Sequence, residues 1–134
     1  MSGIIFSSEV ENLTPDQLRG FFAGWPKPPT PEALLALLVA SHHRWVAIDQ
    51  EKSICVGYIT ALSDGVLFGY ISSLEVLADF QHRGIGSELA RRMTHTLRDL
   101  YAIDLVCDEP LIEFYGRIGF EKCSGMVIRR RDLL

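Results

Sequence analysis

The residues best suited to chemistry fall in two short stretches. Gln81-His82-Arg83-Gly84-Ile85-Gly86-Ser87 separates an apolar, β-branched run that begins near Val66 from Ile85, Leu89, Met93 and Leu97, which recur every fourth position. That order predicts a strand, a glycine-containing turn and a helix with one buried face. The first turn of a helix presents N–H groups without intrahelical acceptors at the positive end of its dipole. Glycines at 84 and 86 let an anion approach those amides, and Arg83 adds a fixed positive charge. The expectation is an anion cradle, best suited to a pyrophosphate. Q-x-x-G-x-G alone is a weak signal, because two glycines also serve a tight turn and close helix–sheet packing. Neither the G-x-G-x-x-G dinucleotide fingerprint nor a Gly-Lys-Ser/Thr phosphate loop is present.

The second stretch is Phe114-Tyr115-Gly116-Arg117-Ile118-Gly119-Phe120. With Val76-Leu77-Ala78-Asp79 leading into the first, the two blocks resemble, in this order, the GNAT superfamily of acyl-CoA-dependent N-acyltransferases. The first block is similar to that family's pyrophosphate-binding motif and the second to its FYxxxGF block. The resemblance is strongest over about 66–120 and loosest before residue 40. It implies an α/β (α+β) fold: a mixed, mostly antiparallel central sheet of about six to seven strands, flanked by helices on both faces. It also implies acetyl-CoA as acyl-donor cosubstrate and direct transfer to a primary amine of a small molecule, a peptide or a protein. A non-catalytic acyl-CoA-binding or sensing module of the same fold is the alternative.

Residue by residue, the resemblance gives the carrier's phosphates to Gln81, His82, Arg83, Gly84, Ile85, Gly86 and Ser87. Backbone N–H groups of Leu74 and Val76 would take the pantetheine and the thioester carbonyl, which requires a strand edge left open there. Tyr115 matches the tyrosine that meets the sulfur; a phenol, with pKa near ~10 in water, keeps its proton at neutral pH and can donate it to a thiolate. Glu75 is the candidate base, with Tyr70, Ser72, Ser73 or a water chain as alternatives. Strand alternation aims Glu75 away from Leu74 and Val76, unless a bulge intervenes. Phe22 and Trp25, with Tyr70 and Ser72, are the candidates on the acceptor side, although an aromatic stripe at helical spacing more commonly packs in a core. Two departures stand out: Asp108 lies where some relatives carry Asn, and Ala78 where they often carry Pro.

The chain of 134 residues, 48% hydrophobic and 22% charged, fits one globular domain over 1–134. A net charge of −4 disfavours nucleic acid and acidic membranes as partners. No signal-like or membrane-spanning run is expected, and Cys55, Cys107 and Cys123 read as buried thiols of a cytoplasmic protein. His42, His43, His82 and His95 lack metal-ligand spacing, so no metal is expected.

The positioning elements follow in order. Ile4 to Phe6 make a short edge strand. Thr14, Pro15 and Gln17 form a capping box for a helix whose stripe is Leu18, Phe21, Phe22 and Trp25. Pro26, Pro28, Pro29 and Pro31 break it. Thr30 caps a second helix, Glu32 to Ala40, whose all-round apolarity suits deep packing or a homodimer contact. Arg44 to Ile48, Ile54 to Leu62 and Val66 to Val76 read as antiparallel strands, the middle one covered on both faces. The anion-binding helix leads to a short strand, Ile103 to Cys107, by a right-handed parallel crossover. Pro110 opens a helix through Tyr115. Phe120 to Cys123 and Met126 to Ile128 read as final strands around Ser124-Gly125, and Arg129-Arg130-Arg131 as a solvated end.

Overall fold

A computed structural model of the chain describes residues 3–134. Alternating apolar residues between turns build one mixed sheet from β1 (Ile4–Ser7), β2 (His43–Asp49), β3 (Ile54–Ser63), β4 (Phe68–Val76) and β5 (Ala102–Leu105), in that spatial order. The first four are antiparallel neighbours, and β5 lies parallel to β4. A parallel neighbour needs a crossover. Helix α2 (Ile85–Thr96) supplies it, while α1 (Pro31–Ala40) precedes β2 and α3 (Ile112–Gly116) follows β5. Thr30 caps α1 as its sequence predicts, its hydroxyl accepting from the Ala33 N–H at 3.1 Å. Strand β4 starts at Phe68 rather than Val66, because Asp64 Oδ1 accepts from the N–H groups of Val66, Leu67 and Phe68 and holds a turn there.

Five strands among the described residues replace the expected six to seven. The runs 120–123 and 126–128 form no regular secondary structure and pair with no described neighbour, and every residue from 121 to 134 is exposed. Two short runs without a third strand or a helix to pack on do not hold as an independent hairpin. The expectation of three buried thiols holds for Cys55 alone; Cys107 is half-buried and Cys123 exposed, and all three are free.

The helix expected from Thr14 to Trp25 shrinks to a single 3-10 turn, Pro15–Leu18. Its start is as predicted, with the Thr14 N–H donating to Gln17 Oε1 at 3.0 Å. Beyond it Gly20 (φ +93°), Phe22 (φ +64°) and Gly24 (φ +85°) are all left-handed, which no α-helix accommodates. Leu18 and Phe21 still reach a core with Val10, Leu34, Leu38, Val46, Cys55 and Tyr58; Trp25 does not.

The other face of the sheet packs Val56, Ile59, Ala61 and Ile71 against Ile85, Leu89, Ala90, Met93 and Leu97. Strand β3 is thus covered on both sides, with one departure from simple alternation. Ala47 pairs with Gly57 and Ile48 with Cys55, so Val56 is an extra, bulged residue. The bulge puts Val56 with Ile59 and Ala61, whereas strict parity groups it with Tyr58. Gly57 lets α2 come close: a Cβ there would stand 3.1 Å from Leu89 and 3.3 Å from Ile85. The far end of α2 is pinned by Trp45, whose indole N–H donates to Thr96 Oγ1 at 3.0 Å. Among the described residues no helix is long and apolar enough to cross a membrane.

Candidate active site

The β4–β5 ladder runs from Phe68 opposite Ala102 to Ile71 opposite Leu105 and stops, while β4 continues to Val76. The last part of β4 therefore has a β5-side edge with no strand against it. The Leu77 N–H donates to Val56 O across β3 at 2.9 Å. Because successive amides alternate sides, those of Leu74 and Val76 point the other way, into this opening. A 3-10 turn, Ala78–Phe80, then brings the chain to Gln81, whose side-chain amide donates to Val76 O at 3.0 Å. His82 (φ +64°) and Gly84 (φ +84°) are left-handed, and the Gly84 carbonyl accepts from the Glu88 N–H to start α2. The N–H groups of the first helical residues, Ile85, Gly86 and Ser87, thus have no acceptor along the helix.

These amides line an open cleft of ≈ 630 Å³ whose far wall is Leu111, Phe114, Tyr115 and Arg117, from α3 and its flanks. Of the residues singled out in the sequence, Leu74, Glu75, Val76, Gln81, His82, Gly84, Ile85, Gly86, Ser87 and Tyr115 share the cleft. A Cβ on Gly86 would sit 3.7 Å from both Val76 and Phe114, so a side chain there would fill the narrow part between the walls. That gap, edged by free amides, fits a slim anionic chain. Arg83 lies outside the lining; its guanidinium donates to Asp79 O at 3.1 Å and stacks 4.9 Å over the Phe80 ring.

Tyr115 is 8% exposed and meets Phe114 and Phe120 edge-on, at 4.9 and 5.7 Å between centroids. Burial, with a smaller contribution from nearby Cys107, pushes its phenol up to about 12. It therefore holds its proton at neutral pH.

Glu75 projects from β4 on the side opposite Leu74 and Val76, as alternation requires. Both its oxygens accept from the Phe22 N–H, at 2.8 and 3.1 Å, and Oε2 also accepts from the Ala23 N–H at 3.3 Å. The candidate base thereby holds the left-handed turn that carries Phe22, which meets Trp25 edge-on at 5.4 Å. Strand β4 has its own bulge at Ser72, since Thr60 pairs with Ser73 and Ala61 with Ile71. Ser72 and Ser73 consequently both hydrogen-bond Thr60 Oγ1, at 2.8 and 2.6 Å. Tyr70, Ser72, Ser73 and Glu75 share that face, and Phe22, Trp25, Tyr70 and Ser72 lie outside the cleft lining. Phe80, Leu111, Phe114 and Arg117 line it without having been singled out as site residues. The aromatic-glycine block already contained Phe114 and Arg117; Leu111 carries no local signal beyond the neighbouring Pro110.

Comparison with known proteins agrees with this fold. The sequence model described as the acetyltransferase (GNAT) family matches residues 10–120. A crystal structure from Deinococcus radiodurans R1, provisionally named an acetyltransferase, is 43% identical and superposes with a TM-score of 0.94, covering 98% of this chain and 91% of that one. Among curated sequences, the Glycine max protein named Probable acetyltransferase TAP2 is 32% identical over 128 residues, 88% of this chain and 52% of its own length. GCN5-related N-acetyltransferase 2, chloroplastic, of Arabidopsis thaliana is 30% identical, over 88% of this chain and 54% of that protein. The chain spans about half the length of the curated relatives it matches.

Proposed function

Because this chain belongs to the acetyltransferase (GNAT) family, we propose that it transfers an acetyl group from acetyl-CoA to a primary amine of a small molecule or peptide. Residues 1–134 are read as one acyltransferase domain. The observation that carries this reading is the cleft itself: free amides on the β4 edge and at the start of α2 face Tyr115 across a gap kept open by Gly86. When bound, acetyl-CoA supplies the acyl group already activated as a thioester. The amides of Ile85, Gly86 and Ser87, with Gly84, His82 and Gln81 around them, bind the diphosphate at the positive end of α2. The Leu74 and Val76 N–H groups orient the pantetheine and polarise the thioester oxygen. Tyr115 Oη holds the proton that the leaving sulfur needs. Glu75, through water, takes up the amine's proton while its other lone pairs keep the Phe22 turn in place. Phe22, Trp25, Tyr70 and Ser72 form the acceptor's side. Three free thiols suit a reducing compartment, which supports a cytoplasmic location.

Calorimetry with acetyl-CoA, followed by thiol-release assays over polyamines, aminosugars, amino acids and lysine peptides, tests the proposal. Binding at micromolar levels and thiol release with at least one acceptor class are expected. Absence of binding would remove the cradle. Tight binding without release across the panel would make the chain an acyl-CoA-binding module instead.

A further inference from the structure

We propose that a notch at the β1–β2 edge, at the opposite end of α2 from the cleft, binds the phosphate group of a small phosphate monoester. β1 runs beside β2 only as far as Ser7 opposite Val46, whereas β2 begins at His43. The outer edge of β2 from His43 to Trp45 therefore has no strand against it. Ser8, His42, His43, Arg44, Trp45 and Thr96 line the notch that results, ≈ 290 Å³ in volume. Roughly ten waters would fill that space, so it has room for a phosphate and the small group esterified to it. Thr96 is the last residue of α2, roughly 17 Å along the helix axis from Ile85 at the cleft.

Donors reach the notch from three sources. The first is the strand edge. The Gln50 N–H donates to Gly3 O at 2.9 Å, and every second amide back along β2, at Ile48, Val46 and Arg44, leaves on that same side. Ile5 and Ser7 of β1 answer Ile48 and Val46. No strand answers Arg44, because the chain turns away and the Glu9 N–H donates to Ser7 Oγ at 3.0 Å. The second source is the Arg44 guanidinium. Its Nη1 donates to Ser41 O at 3.2 Å, while Nε is buried with no hydrogen-bond partner among the described residues. An unpaired buried donor costs about 1–3 kcal/mol, which a small turn of the guanidinium towards a bound anion recovers. The third source is a pair of imidazoles. His42 Nδ1 accepts from the Ser63 N–H at 2.9 Å, so the neutral ring carries its proton on Nε2 as a donor. Burial first, then His42 and Arg44, hold His43 below the usual histidine range. Among the described residues no carboxylate lines the notch to balance that charge. The carbonyl end of α2 lies close by, but Arg98 shields it, its backbone N–H and Nη1 donating to His95 O at 3.2 and 2.9 Å. The Trp45 indole N–H is taken by Thr96 Oγ1, so its ring serves as a wall. Finally, the Arg44 carbonyl leaves on the same edge as its N–H. A phosphate monoester meets that acceptor with its P–OH, which an ionised carboxylate lacks.

The test uses neither the acyl carrier nor turnover, so failure of the acyltransferase reading leaves it intact. The chain has four histidines, which report separately in long-range proton–nitrogen spectra of the imidazoles: His42 and His43 at the notch, His82 at the cleft and His95 on α2. Titrated with inorganic phosphate and with phenyl phosphate, the full chain should show saturable shifts at His42 and His43, with the ester bound more tightly. Arg44→Gln should weaken both ligands by at least about tenfold. Ser8→Glu sits at an exposed position away from the core, and its carboxylate should abolish the shifts by repulsion. Acetate at the same ionic strength should leave both rings unmoved. Shifts confined to His82 would assign phosphate to the cleft alone and overturn the proposal. Shifts at His42 and His43 that acetate reproduces, or that survive Ser8→Glu, would reduce it to diffuse attraction. Equal affinity for the two phosphates would make free phosphate the ligand and overturn the ester.

Discussion

Gly84 and Tyr115 stand at opposite ends of the proposed carrier site and can be tested separately. At Gly84 an added Cβ meets nothing within 4 Å, so Gly84→Ala pays only for the left-handed backbone. That should cost about 1–2 kcal/mol of stability and leave acetyl-CoA affinity nearly unchanged. Gly84→Asp adds a carboxylate beside the amides meant for phosphate, and calorimetry should show binding weakened at least ~100-fold; an unchanged Kd would refute the cradle. Tyr115→Phe should lower kcat by about 100-fold while Kd moves less than about threefold, because the hydroxyl acts on the departing sulfur. Both positions were legible in the sequence because glycine spacing and the aromatic-glycine block are local patterns. The bond from Glu75 to the Phe22 turn was not. It joins residues 53 positions apart, and strand alternation reveals the side a carboxylate leaves from, never what it meets.

At the scale of elements, the seat of α2 on β3 decides where the anion-binding amides stand. Gly57 is the contact: its hypothetical Cβ lies 3.1 Å from Leu89, 3.3 Å from Ile85 and 3.4 Å from the Glu75 carbonyl. Gly57→Ala requires the Leu89 and Ile85 side chains on α2 to give by a few tenths of an ångström, since the backbone of β4 is the stiffer neighbour. The expected cost is about 1–3 kcal/mol, read as a lower Tm. Acetyl-CoA binding should weaken with it, because Ile85 heads the same helix whose first amides line the cleft. A destabilised variant with undiminished affinity would separate helix packing from the site. Strands β2 to β4 and helix α1 were readable from caps, turns and alternation. The N-terminal helix misled because Leu18, Phe21, Phe22 and Trp25 keep helical spacing while Gly20, Phe22 and Gly24 are left-handed. Bulges at Val56 and Ser72 were equally hidden, for a pairing offset leaves no mark on one strand's composition.

Across the whole molecule, the sequence pattern anticipated that β3 would be covered on both faces but not where the sheet would stop. The runs 120–123 and 126–128 carry strand-like patterns, yet no described strand pairs with them. Burial on both faces has a consequence for alkaline stability. Cys55, Tyr58 and Tyr115 are all pushed up to about 12, first of all by burial, with Glu75 adding to the effect on Tyr58. Unfolded, the thiol titrates near 9 and the phenols near 10. Between about pH 9 and 12 the unfolded chain therefore binds fewer protons than the folded one. The contribution of these groups is complete below about pH 9 and is lost as pH climbs towards 12. Urea unfolding at stepped pH should show this fall, with no matching change from these groups between pH 6 and 8. Tyr58→Phe removes one proton from the balance and should flatten the slope above pH 10 by about 1.4 kcal/mol per pH unit at its steepest. An unaltered slope would mean that the Tyr58 hydroxyl meets water in the folded protein and that the core between the sheet and α1 is open.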